Sequence, residues 1–153
     1  MTEIKTAAEV SENAVLPDAY AVHSDPDAAR TPEQKPLPRA LAVPQPPKSD
    51  AQWAYERLVL YIQNFEEQLD QHHEVAMGFA GGDTFVLRIM GIGYFAPDII
   101  TFYGQDEEGG KTQLIQHVSQ LNVMLRAVSR SADSEEPNRI GFRLAKALET
   151  GGN

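Results

Sequence analysis

Chemistry in this chain would have to be carried by imidazole, carboxylate and hydroxyl groups, because none of its 153 residues is cysteine. That removes thiolate nucleophiles, disulfides and cysteine-bound zinc or iron–sulfur centres together. Histidine is the side chain best suited to proton transfer near neutral pH, and the four histidines are His23, His72, His73 and His117. His117 lies in LIQHVSQLN, an apolar run that also carries Gln116, Ser119 and Gln120. Amides beside an imidazole can hold a polar ligand, so His117, Gln116 and Gln120 are the candidate binding residues here. As a metal ligand, His117 lacks a second histidine four positions away and a Glu-x-x-His partner. As a general base it needs an oriented nucleophile such as Ser119, and neighbours in sequence point apart on a helix and to opposite faces of a strand. A hydrogen-bonded structural histidine is the expectation.

The other motifs reduce in the same way. His72-His73-Glu74 is the one histidine cluster, and cations at a helix C-terminus are favoured by the helix dipole without any metal. GFAGGD and GIGYF complete neither phosphate-loop pattern, and Gly91-Ile92-Gly93 falls within a strand instead of opening a helix. DEEGGK lacks the alternating acidic ligands and closing glutamate of a calcium loop. Asp83 and Asp98 could form an acid and base pair, but turns select aspartate for local hydrogen bonds. No catalytic residue, metal-ligand set or cofactor is expected.

Composition narrows the partners. Twenty-two acidic against 13 basic residues give a net charge of -9, which repels phosphate backbones and anionic lipid surfaces, so neither nucleic acid nor membrane is an expected partner. No segment approaches the roughly 18–20 apolar residues of a membrane span, and MTEIKTAAEV has no apolar run of signal-peptide length. A cytoplasmic location follows as the expectation.

The elements that must position these residues are divided by proline and glycine. Eight of the ten prolines precede residue 50, and every glycine lies at Gly78 or later. A proline-rich segment with little aromatic content cannot bury enough surface to offset its chain entropy. Residues 1–48 therefore read as a disordered tail, polyproline-like over 31–47 and with a helical turn at 6–15. Its PxxP spacing could dock an aromatic groove.

A single domain is expected over residues 49–148, with 149–153 frayed. Ser49 with Gln52 makes a capping-box pattern, and Tyr55, Leu58, Ile62, Phe65 and Leu69 recur at helical spacing, predicting a long helix that ends near His72. Trp53, Val59, Leu60 and Tyr61 widen its apolar face, which makes Trp53 and Tyr61 candidate contact residues. Beyond it the period becomes two: EVAMGF, TFVLRIMGIGYF and IITFYGQ predict antiparallel strands joined at AGGD and Ala96-Pro97-Asp98. LIQHVSQLN fits a strand or a helix, and the stripe Leu114, Val118, Leu121, Leu125 and Val128 favours a helix over about 112–127. RIGFRL reads as a short strand and AKALETGGN as a helical turn.

The stretches AQWAYERLVLYIQNFEEQLD, VAMGFAG, IMGIGYFAPDIITFYGQD, LIQHVSQLNVML and RIGFRL resemble, over residues 50–144, a family of small uncharacterised bacterial proteins known only as a domain of unknown function. The resemblance implies no activity and carries over no site residue.

The reading is an α+β fold: a long N-terminal helix packed on a mostly antiparallel sheet of about four strands, with a second helix or further strands near the C-terminus. The function expected is a non-catalytic interaction or accessory module with a protein partner or self-association. The alternative is a small-molecule or metal-dependent enzyme with its site near His117.

Overall fold

Proline fixes φ but does not prevent a helical turn from starting, and the proline-rich segment contains two such turns. The computed structural model describes residues 19–42, 47–79, 85–130 and 135–149, and the helical turn expected at 6–15 lies outside them. The chain divides into two compact units, Met1–Leu37 and Pro38–Asn153. In the first, a 3-10 turn at Pro32–Gln34 is held by Gln34, whose side chain accepts the Thr31 N–H at 3.0 Å. The second opens on a single helical turn, α1 (Arg39–Ala42), within the stretch expected to be extended.

Helix α2 (Asp50–Glu66) starts as the capping pattern predicts. Ser49 stands in extended backbone and its hydroxyl accepts from the Gln52 N–H at 3.1 Å, satisfying one amide that a helix start leaves orphaned. The helix stops at Glu66 rather than near His72. Asp70 accounts for this: its carboxylate accepts the His72 N–H at 2.8 Å and bonds His73 Nδ1 at 2.7 Å, and such local bonds compete with helical ones. The His73 bond, then the His72 amide, hold the Asp70 carboxyl below its usual range.

Five strands follow: β1 (His73–Phe79), β2 (Phe85–Phe95), β3 (Ile99–Gln105), β4 (Lys111–His117) and β5 (Val123–Ser129). They form one antiparallel sheet in the order β4-β3-β2-β1-β5. The helix expected over 112–127 is instead β4, a 3-10 turn at Val118–Gln120 and β5. Pairing decides it, because Leu114 opposite Phe102 and Gln116 opposite Ile100 place the inward residues at period two. The strand count is therefore five, and α2 is not N-terminal. RIGFRL is also not a strand. It opens helix α3 (Ile140–Glu149), whose first turn receives the Glu66 carboxylate.

The connection from β4 to β5 fixes the curvature. Register places His117 level with Ile99 and Phe95, whereas Val123 pairs with Phe79, level with Phe85. On a flat sheet the two would be four strands apart, about 19 Å at roughly 4.8 Å each, and displaced by ten residues, about 33 Å, along β2. Six residues reach only about 20 Å. The sheet must coil strongly, and a bulge between Ile89 and Gly91 helps bend β2.

The concave side holds the core. Val59 and Ile62 of α2 and Ile140 and Leu144 of α3 meet Val75, Met77, Leu87, Ile89, Ile100 and Phe102 of the sheet. Gly104 lets β3 approach β2, since a Cβ there would run into the Arg88 carbonyl oxygen and sit 2.9 Å from Leu87 Cγ. Gly141 does the same for α3 on α2, where a Cβ would lie 2.8 Å from the Gln63 nitrogen.

Candidate functional site

Hairpin pairing between β3 and β4 brings His117 beside residue Ile99, and with it the Asp98 carboxylate. His117 Nε2 lies 3.0 Å from Asp98 Oδ2, and Nδ1 lies 2.7 Å from Ser119 Oγ. The pair that the sequence argument set aside therefore forms. That argument treated His117 and Ser119 as immediate neighbours, whereas residues two apart share a face of a strand, and the turn at Val118–Gln120 brings the two side chains together.

The Ser119 N–H donates to Nδ1 at 3.0 Å, so Nδ1 is the acceptor in this geometry and Nε2 faces the Asp98 carboxylate as the donor. Gln120 completes the turn, its Oε1 accepting the His117 N–H at 2.9 Å. The Val118 N–H donates to the Asp98 carbonyl at 2.7 Å. The Val118 and Ser119 amides, which could have faced a developing oxyanion, are thus already committed. Both the His117 and Asp98 side chains stay close to half exposed, at 48% and 42%. Gln116 points to the core side opposite Ile100, where its Oε1 is buried with no partner among the described residues. It does not join His117.

The aromatic residues separate into three places. Tyr55 packs on Tyr94 at 5.1 Å between centroids beside the core, and burial first, then Tyr94 and Glu56, push its phenol above the usual range, away from use as a base near neutral pH. Trp53 and Tyr61 lie on the exposed stripe of α2, with the Arg57 guanidinium between them 4.1 Å from the Trp53 ring centroid. Tyr103 lies on the convex face of the sheet. Its ring sits across Gly91 and Gly93, with carbon atoms 3.6 and 3.8 Å from where their Cβ atoms would be. Gly91 and Gly93 thus leave room for a ring, and the strand bulges between Ile89 and Gly91. Phe95 and Ile115 lie on the same face of the sheet, 76% and 63% exposed.

Sequence reasoning missed the polar bonds that tie the unit together. Glu74 bonds Arg88 at 2.6 Å and accepts the Asn138 N–H at 2.7 Å, while Arg139 donates to the His73 and Asp70 carbonyls at 2.8 Å each. Glu66 accepts the Gly141 and Phe142 amides at 2.9 and 3.1 Å. Burial pushes its carboxyl up, against the lowering effect of those amides, Arg139 and Arg143. Among the described residues no three His, Asp or Glu side chains converge as a metal site, and no helix is long and apolar enough to cross a membrane. Asp83, the other candidate carboxylate, lies outside the described residues.

The sequence model of DUF6173, a family of unknown function, matches residues 47–143. The chain belongs to DUF6173. No curated protein and no solved structure matches it. The DUF6173 match spans α2, the whole sheet and the first turn of α3, so it contains both the Asp98–His117–Ser119 cluster and the convex apolar face.

Proposed function

We propose that the chain is a cytoplasmic, non-catalytic interaction module that binds protein through the convex face of its sheet, with the proline-rich N-terminal segment as a tether. One observation carries the reading: on that face Phe95, Tyr103 and Ile115 stand on adjacent strands where solvent-facing positions are ordinarily polar. Aromatic and branched side chains held on a sheet lose little entropy on contact and anchor interfaces well. Placing a photo-crosslinking amino acid at 95 or 115 in the full chain, in its native cell, should trap a protein partner. The same group at exposed Lys146 on α3 should not. Failure of both convex-face positions to trap anything rejects the reading.

The Asp98–His117–Ser119 chain of bonds favours a second reading, an acid–base site for a small molecule. It is weaker because Nδ1 is shared with a backbone amide and the neighbouring amides are engaged. It requires His117→Gln to abolish an esterase activity while leaving the melting curve unchanged. The interaction module requires no activity above buffer before or after the substitution.

A further inference from the structure

Among the described residues the sheet ends on β4 and β5, with no further strand on either. Natural edge strands are blunted by proline, bulges or charges, lysine above all, since their free N–H and C=O groups template pairing, and β4 carries only one of these devices. β4 reads KTQLIQH, runs in register with β3 without a bulge, and carries its one formal charge at its first residue, Lys111. Its core-facing residues Thr112, Leu114 and Gln116 are only half covered, so the core is open along this edge as well.

We propose that β4 pairs antiparallel with β4 of a second copy of this chain about a two-fold axis at Leu114, joining two sheets into one. The proposal goes beyond the interaction-module reading, since it concerns the edge of the sheet and not its convex face. Antiparallel self-pairing centred on Leu114 sets Leu114 against itself, Gln113 against Ile115, Thr112 against Gln116 and Lys111 against His117. Leucine on leucine closes the half-covered core. At the ends Lys111 stands opposite His117 of the other copy, twice by symmetry, so the seam sets no two formal charges of one sign against each other. The convex apolar faces around Ile115 also become continuous across the axis.

The other edge lacks these properties. β5, Val123–Ser129, is centred on Arg126, so the equivalent pairing sets Arg126 against itself, and like charges directly opposite are destabilising.

The absence of cysteine makes the register directly testable. In the full chain, Leu114→Cys should form a disulfide-linked dimer under mild oxidation, because directly opposed strand residues bring Cβ atoms within disulfide reach. Leucine 114 touches the core, so a second pair guards against misfolding: Gln113→Cys and Ile115→Cys chains should cross-link efficiently when mixed and poorly alone. Sedimentation equilibrium should show a dimer that Gln113→Lys with Ile115→Lys weakens by roughly 2- to 30-fold, since like charges then stand directly opposite each other twice across the axis. A monomer at every concentration with no cross-link, or cross-linking through Arg126→Cys instead, overturns the proposal. A monomer whose position 95 or 115 still traps a different protein overturns the β4 pairing and leaves the interaction-module reading standing.

Discussion

Glu66 offers the most quantitative test of how the C-terminal unit is held. Its two carboxylate oxygens accept the second and third amides of α3, and the residue is only 5% exposed. Glu66→Ala leaves the Gly141 N–H buried without an acceptor, a loss of about 1–3 kcal/mol, and removes a second charge-assisted bond to the part-buried Phe142 N–H that water partly replaces. Together these come to about 2–4 kcal/mol, or roughly 8–16 °C in melting temperature for a unit of this size. Glu66→Gln keeps the shape but can accept only one amide while its NH2 faces the other, so it should cost about half as much. The pH dependence has a definite sign. Burial raises the folded-state pKa above its ordinary 4.5, so the folded chain holds this proton more tightly than the unfolded one. The contribution is fully present below about pH 4.5, is lost as pH rises through the raised folded value, and is constant above it. Urea unfolding followed by circular dichroism across pH 4–8 would show the parent losing stability relative to Glu66→Gln over that window. Equal stabilities for Glu66→Ala and the parent, or a difference that grows with pH in the opposite sense, would refute the buried-cap argument.

Two further substitutions probe the packing. Gly104→Ala should destabilise by about 3 kcal/mol or more, because the clash is with strand backbone, whereas Gly91→Ala, whose nearest contact is an ordinary 3.6 Å, should stay within about 1 kcal/mol; paired thermal melts would decide. Arg88→Leu should cost roughly 2–4 kcal/mol by stranding Glu74, which is 6% exposed, and Arg88→Leu with Glu74→Leu should recover only part of that loss in a double-mutant cycle, because the Asn138 N–H then lacks its acceptor.

What the sequence disclosed follows from the range over which each interaction acts. Ser49 and Gln52 are three apart, and the helix start they predict is where α2 begins. The alternation in EVAMGF, RIMGIGYF and IITFYGQ reports local pleat, so β1 to β3 were legible. Residues 112–127 satisfied both periods, and only pairing to β3 could choose between them. Had 111–117 been taken as the strand returning through DEEGG, the hairpin would have set Lys111 against Gln105 and His117 against Ile99, and Asp98 beside the imidazole. The Asp98–His117 contact was thus accessible, but only after the strand was chosen correctly. Glu66 to Gly141 and Glu74 to Asn138 span 75 and 64 residues, and no local periodicity encodes them. RIGFRL was misread for the same reason: the amides that favour a helix there are satisfied by a carboxylate from another element. Gly91 and Gly104 looked alike as glycines in strands, yet one admits a tyrosine ring from the neighbouring strand and the other a backbone carbonyl. The difference between them belongs to the register of β2 on β3, set by the bulge between Ile89 and Gly91. The convex apolar face inherits that dependence, because it is the same bulge that aligns Tyr103 with Gly91 and leaves Phe95 and Ile115 on one side of the sheet.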